Sequence, residues 1–158
     1  MNLFSSPVHE FPAGPWRPAV LAVAGDPYTL AKLARLCLPM EPHARWLAVA
    51  QSPEALERLT TTACDLLLVD AASLPPMPGA FLLAARRLRP GASCAVIGTP
   101  GHGPQWPPID GVRLLGWDDL PGWLAQELAR LRCRAQLAAL DIATLGDTTL
   151  PSPLASCN

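Results

Sequence analysis

Short apolar runs alternate with segments of helical periodicity along most of the chain. In the first helical segment, Leu30, Leu33, Ala34 and Cys37 recur at the spacing of one helix face. The apolar runs are only a few residues long, as expected for strands that are covered on both faces. The five predicted strands are residues 18–24, 46–50, 64–69, 93–98 and 111–116.

The order of these segments predicts one α/β domain with a five-stranded parallel sheet, a flavodoxin-like three-layer sandwich with helices on both faces. One link departs from the alternation, because residues 100–108 contain four prolines and two glycines. Proline lacks a backbone N–H and clashes with the preceding helical turn. We therefore expect the fourth helix of the series to be shortened or replaced by a proline-rich loop.

Composition limits the domain boundaries and the partners. The folded domain is predicted over residues 18–140, including an extended last helix, whereas residues 1–17 and 141–158 are predicted to be a disordered arm and a flexible tail. The net charge of −1 provides no basic face for nucleic acid. No apolar run approaches the roughly 20 residues that cross a membrane.

The five cysteines are widely spaced and form no C-x-x-C pair. Disulfide and zinc frameworks need paired or clustered cysteines, so we expect buried, reduced thiols and a cytoplasmic location. The chain also lacks a phosphate-binding G-x-x-x-x-G-K motif and a G-x-S-x-G nucleophile motif. The sequence therefore predicts no enzyme activity, no metal and no cofactor.

Asp70 follows the third predicted strand directly, at the edge of the sheet where sites of open α/β proteins assemble. Its carboxylate could cap the following loop, keep an interaction or switch role, or accept a phosphoryl group. Thr99 ends the fourth strand as either a strand-forming residue or a functional hydroxyl. Asp26, before Pro27, fits the N-cap of the first helix better than a metal ligand.

An alternating series in which the third strand ends in aspartate and the fourth in threonine resembles the receiver domain of bacterial response regulators. The resemblance extends over residues 18–134. It implies that Asp70 is equivalent to the phosphoacceptor and Thr99 to the switch residue. Asp26 would belong to a degenerate acidic pocket.

The same resemblance implies which groups are replaced. In the family, two acids after the first strand hold Mg²⁺, and a lysine after the fifth strand contacts the phosphoryl group. The corresponding stretch here reads Ala24-Gly25-Asp26-Pro27, and the one lysine of the chain, Lys32, lies in the first predicted helix. Phosphoryl transfer depends on cations that neutralise the transferring oxygens. We therefore expect a degenerate receiver, or pseudo-receiver.

Three functions are consistent with this pattern. The first is a non-enzymatic signalling module that acts by protein–protein contact, without phosphorylation. The second is an atypical response regulator, phosphorylated at Asp70 by a kinase in a phosphorelay with Mg²⁺. The third is the regulatory N-terminal part of a transcriptional regulator, whose last helix leads to an output domain. The partner would be a kinase, an output regulator or a second copy in a homodimer.

Three tryptophans are candidates for an interaction surface. Trp106 lies in the proline-rich link, Trp117 follows the fifth strand, and Trp123 lies at the start of the last helix. Aromatic side chains are enriched in binding hot spots. They could equally fill the space left by a missing fourth helix.

Overall fold

Five parallel strands and four α-helices confirm the predicted fold class. The computed structural model describes residues 16–98 and 107–147, with only the backbone described for residues 144–147. The strands are β1 (Ala19–Val23), β2 (Arg45–Val49), β3 (Leu66–Asp70), β4 (Ser93–Ile97) and β5 (Val112–Leu115). The helices are α1 (Pro27–Cys37), α2 (Ser52–Thr61), α3 (Pro78–Leu88) and α4 (Leu120–Asp147), and a 3₁₀ turn (Ala71–Ser73) follows β3.

The strand order β2-β1-β3-β4-β5 places β3 at the centre of the sheet. In its register, Val69 lies beside Val23 of β1 and Val96 of β4. The four residues of β3 before Asp70 are all buried, whereas the edge strands β2 and β5 are only partly buried. A parallel strand with helices on both faces must bury every side chain, which explains the continuous apolar run.

Two hydrophobic clusters form the core, one on each face of the sheet. On one face, Leu33 of α1 and Leu124 of α4 pack against the strands, and both are 0 % exposed. On the other face, Leu59 of α2 and Leu82 of α3 do the same. Burying one leucine side chain contributes about 1.5–3 kcal/mol, so both helical layers are anchored by apolar contacts.

The first helix begins where the sequence predicts. Asp26 is the N-cap of α1 and Pro27 follows it at the start of the helix. This cap turns the chain sharply at the carboxyl end of β1. It therefore positions the loop that borders the candidate site.

The link between β4 and β5 is described only in its second part. Residues 107–111 lead into β5 without a helix. The predicted loop over residues 100–108 lies mostly outside the described residues, as do Thr99 and Trp106. Four helices are found among the described residues, and the structure of residues 99–106, where the fourth helix of the series is expected to be lost, lies outside them.

The last helix is longer than predicted. It continues past residue 140 to Asp147, because residues 123–145 contain neither proline nor glycine and are rich in leucine, alanine and arginine. The boundaries of the predicted arm and tail stay predictions, since residues 1–15 and 148–158 lie outside the described part. Trp16 is half-buried against the core cluster that contains α4.

Candidate functional site

Asp70 is the last residue of the central strand and is half-buried. This position, at the carboxyl edge of the sheet, agrees with the sequence prediction. The 3₁₀ turn that follows brings Ser73 back towards it, so that Ser73 Oγ lies 3.5 Å from Asp70 Oδ2. Asp70 thus lies beside the loops that follow the strands at this edge of the sheet.

Ser73 connects three segments at this edge. Its Oγ accepts the backbone N–H of Gly25 at 2.8 Å, and its carbonyl accepts the hydroxyl of Ser52 at 3.0 Å. Ser73 therefore joins the loop after β1, the start of α2 and the Asp70 carboxylate. The sequence reasoning missed this residue, although an Asp-x-x-Ser turn is a common local hydrogen-bonding pattern.

Asp26 is exposed and uses both carboxylate oxygens within its own helix start. Oδ1 accepts the backbone N–H of Tyr28 at 3.1 Å, and Oδ2 accepts the Thr29 hydroxyl at 3.1 Å. These bonds are those of an N-cap, as predicted. The two residues before it, Ala24 and Gly25, carry no ligand side chain, and Ala24 is fully buried.

Gly98 lies between Asp70 and Trp117. Its φ is +83°, a left-handed conformation that side chains disfavour. A Cβ added here would lie 3.3 Å from Trp117 Nε1 and 3.7 Å from Asp70 Oδ1. The indole N–H and the carboxylate therefore both border Gly98, and the sequence reasoning gave this glycine no role.

Lys32 reaches the same edge from α1. Its ammonium Nζ lies 3.9 Å from the centre of the Trp117 ring, a cation–π contact. Such contacts contribute about 0.5–1 kcal/mol at exposed sites. The resemblance to receivers implies a lysine after β5, but here Trp117 follows that strand and the lysine comes from a helix. No sequence signal indicated this pairing across the fold.

The other predicted site residues fall in different places. Trp123 is only 9 % exposed and belongs to the core cluster with α1 and α4, which favours its core-filling alternative. Trp117 is half-buried at the carboxyl edge. Thr99 and Trp106 lie outside the described residues, so their roles stay predictions. Trp117 packs against the same core cluster that contains Trp123, and the predicted surface of three tryptophans stays a prediction.

Two further features of the described ranges bear on chemistry. Among residues 16–98 and 107–147, no three His, Cys, Asp or Glu side chains come together in an arrangement that could hold a metal ion. Over the same residues, no helix combines the length and apolar character needed to cross a membrane.

Comparison with solved structures finds receiver domains. A response regulator receiver domain protein from Methanospirillum hungatei has a TM-score of 0.57 at 16 % identity, over 78 % of this chain and 99 % of that chain. The signal receiver domain of an HD domain-containing protein from Pseudomonas fluorescens has a TM-score of 0.55 at 25 % identity, with the same coverage.

A third neighbour carries a different description. It is a protein from Burkholderia pseudomallei described as pilus assembly-related, with a TM-score of 0.53 and 25 % identity over 73 % of this chain and 90 % of that chain. No family model and no curated protein matches the sequence. The solved structures therefore support the fold that the sequence resemblance implies.

Proposed function

The chain has the fold of a response regulator receiver domain, and we propose that it is a signalling module that acts by contact with another protein, without phosphorylation of Asp70. In this function it performs no catalysis and needs no cofactor. The proposal concerns how a receiver fold works when the groups around its aspartate have changed.

The observation that carries the proposal is the replacement of the metal-binding acids after β1. The receiver family holds Mg²⁺ there with two acids, and this chain has Ala24 and Gly25 in that stretch. Asp26 uses both oxygens to cap α1. Phosphoryl transfer to Asp70 would require cations that neutralise the transferring oxygens, and Mg²⁺ is usually held by one or two carboxylates.

The placement of Lys32 supports the same proposal. A phosphorylated Asp70 would need a positive group close to its oxygens. The ammonium of Lys32 contacts the ring of Trp117 instead. The indole N–H of Trp117, which is a neutral donor, borders Gly98 next to the carboxylate.

One observation favours the alternative of an atypical, phosphorylated receiver. Asp70 keeps its half-buried place at the end of the central strand, with the Ser73 hydroxyl near one oxygen. In that case Asp70 would accept a phosphoryl group from a kinase, and Mg²⁺ would have to be held by Asp70 itself. The two functions differ in a single measurable step.

Incubation with acetyl phosphate and Mg²⁺, followed by intact-protein mass spectrometry, tests that step. We expect no stable phosphate adduct on the wild-type chain. Asp70→Asn is the matched control, and a receiver domain with both metal-binding acids confirms that the reagent is active. A stoichiometric adduct that disappears in Asp70→Asn would contradict the proposal and establish the phosphorylated alternative.

The location that we propose for this protein is the cytoplasm. Burial raises the pKa of the Cys37 and Cys64 thiols to about 11 and that of Cys94 to about 12, which keeps these thiols protonated and unreactive. The four cysteines of the described residues form no disulfide. These features support a reducing compartment.

The search for the partner can start from two observations. The likeness to a protein described as pilus assembly-related makes pilus assembly one process to examine. The 28-residue helix α4 would also suit a connection to an output domain, as in the regulatory part of a transcriptional regulator. Chemical cross-linking in cells followed by mass spectrometry would distinguish a pilus component from a transcription factor.

A further inference from the structure

The amino edge of the sheet, opposite Asp70, carries a long groove. One cleft of about 880 Å³ lies at the starts of β4 and β5, between α3 and α4. A second cleft of about 510 Å³ shares Pro90, Gly91, Ala92 and Arg134 with the first. Because these residues line both clefts, the two form one continuous surface, which we call the arginine groove.

Positive charge is concentrated in the first cleft. Its lining includes the arginines Arg86, Arg113, Arg130 and Arg134 against the two acids Asp110 and Glu127. The whole chain has 12 basic and 13 acidic residues, so this excess is local. A concave surface lined by charges of one sign concentrates ligands of the opposite sign.

Two of the four arginines are held in place by neighbouring groups. Glu127 Oε2 accepts Ser93 Oγ at 2.7 Å and Arg130 Nη2 at 2.8 Å. Burial alone would raise the pKa of Glu127, but the hydrogen bonds from Arg130 and Ser93 outweigh it and the net pKa is lowered. Glu127 therefore stays charged and fixes the orientation of Arg130.

Arg86 is fixed on the other side of the groove. It donates a hydrogen bond to the carbonyl of Ala92. Its guanidinium lies so close to Gly111 that a Cβ there would be 2.5 Å from Nη2. Gly111 has a φ of +81°, a conformation that favours glycine, and a side chain there would displace the Arg86 guanidinium.

Arg113 and Arg134 are exposed cations of the groove that make no salt bridge among the described residues. Arg134 Nη1 makes only a long contact of 3.5 Å with the carbonyl of Gly91. A guanidinium presents parallel N–H donors that match a carboxylate, so these two side chains are suited to bind one.

The second cleft adds an apolar part to the groove. Its lining includes Trp16, Leu88 and Ala135, and Leu88 is 38 % exposed. An occupant that covers the whole groove would therefore present acidic groups beside an apolar side chain. A small anion would use only the first cleft.

We propose that the arginine groove binds an acidic segment of a partner protein that also carries an apolar anchor. This inference rests on the proposed function, because it gives the chemistry of the partner contact. The parts of the chain outside the described structure are poor occupants: residues 1–15 contain one acid, Glu10, and residues 99–106 and 148–158 contain none. The proposal therefore places the acidic segment on another molecule.

A fluorescein-labelled synthetic peptide of glutamates with two leucines serves as the probe, with fluorescence anisotropy as the measurement. We expect the full chain to bind it, with an affinity that falls as salt rises. The double variant Arg113→Gln/Arg134→Gln should bind about tenfold or more weakly, because it loses two charge pairs with the peptide, and tenfold corresponds to about 1.4 kcal/mol. The thermal unfolding temperature should stay near that of the wild type.

Arg35→Gln/Arg87→Gln is the matched control, since both arginines are exposed but lie outside the groove. It removes the same charge and should change the affinity less than twofold. An equal loss in both double variants, or no binding by the wild type, would overturn the proposal.

Further arms test other occupants. Competition by inorganic phosphate as strong as by the unlabelled peptide would assign the groove to a phosphate ligand instead. Self-association that the peptide displaces would assign it to a second copy. Either result overturns the proposal. Since none of these arms uses acetyl phosphate, a failure here is distinct from a failure of the proposed function.

Discussion

The two edges of the sheet differ in how their charged groups are used. At the carboxyl edge, the Asp26 carboxylate caps α1, Ser73 joins Asp70 to Gly25, and Lys32 contacts Trp117. At the amino edge, a groove of about 880 Å³ is lined by four arginines. Polar groups are thus engaged internally at the edge where this fold usually places its site, and several are exposed at the other.

This difference indicates how a fold can keep its architecture while its working surface changes. The strand order and the position of Asp70 at the end of the central strand depend on apolar packing in the core. The polar contacts at the carboxyl edge do not disturb that packing. The binding that we propose depends instead on exposed arginines at the amino edge. Variants that act on both edges, on one edge or on a single charge can test the comparison.

The largest effect is expected from Leu124→Ala, because α4 packs across the sheet and supports both edges. Leu124 is 0 % exposed within the core cluster. Truncating a fully buried leucine costs about 3 kcal/mol, so the denaturant midpoint should fall markedly. Leu137→Ala, at a position that is 61 % exposed on the same helix, is the control and should change stability by less than about 0.5 kcal/mol. Equal losses of stability in the two variants would show that the part of α4 around Leu137 is packed against the domain.

The second prediction compares one glycine at each edge. Gly98→Ala and Gly111→Ala both force a side chain into a positive φ, which costs about 1–2 kcal/mol. Gly111→Ala should lose more, since its Cβ would displace the Arg86 guanidinium and break its hydrogen bond to the Ala92 carbonyl, whereas the nearest atom at Gly98 is 3.3 Å away and needs only a small shift. Urea unfolding measures both losses.

Gly122→Ala is the control for the glycine pair. Gly122 lies in the first turn of α4, and no atom lies within 4 Å of its added Cβ. Because alanine favours helix over glycine by up to about 1 kcal/mol, this variant should be as stable as the wild type or more stable. A larger loss of stability for Gly98→Ala than for Gly111→Ala would contradict the prediction.

The third prediction concerns the carboxyl edge alone. Ser73→Ala removes the acceptor of the Gly25 N–H, whose hydrogen bond is 2.8 Å long. We expect a loss of about 1 kcal/mol and faster hydrogen exchange of the Gly25 amide by NMR. Ser93→Ala, at the amino edge, should leave the Gly25 exchange rate unchanged. If both variants speed it equally, the two edges are not independent.

The sequence predicted local features of the carboxyl edge and missed the contacts made across the fold. An apolar run that ends at Asp70 and an Asp26-Pro27 pair identify a buried strand and a helix cap, because both depend on neighbouring residues. The contact of Lys32 with Trp117 depends on two segments far apart in sequence. Such pairings follow from the assembled fold.

The arginine groove was missed for a related reason. Arg86, Arg113 and Arg134 belong to α3, β5 and α4, and these elements lie far apart in the sequence. The net charge of the chain does not indicate this group of arginines, since basic and acidic residues nearly cancel over the chain. Trp123 shows the opposite case: its sequence context left a surface role and a core-filling role open, and in the fold it belongs to the core cluster and also lines the first cleft.

The smallest expected effect is a pH dependence at the amino edge. Hydrogen bonds from Arg130 and Ser93 outweigh the effect of burial and lower the pKa of Glu127 in the folded chain from its ordinary value of 4.5. The charged form is therefore favoured by folding, so its contribution to stability is present above pH 4.5 and is lost as the pH falls through the folded pKa. Between neutral and acidic pH, Glu127→Gln should thus lose less stability than the wild type.

Urea unfolding at several pH values measures this dependence of stability on pH. Glu57→Gln, which removes an exposed carboxylate on α2, should change the slope less than Glu127→Gln does. A Glu127→Gln slope equal to that of the wild type would mean that Glu127 does not hold Arg130 in solution, and the preorganised side of the groove would have to be abandoned.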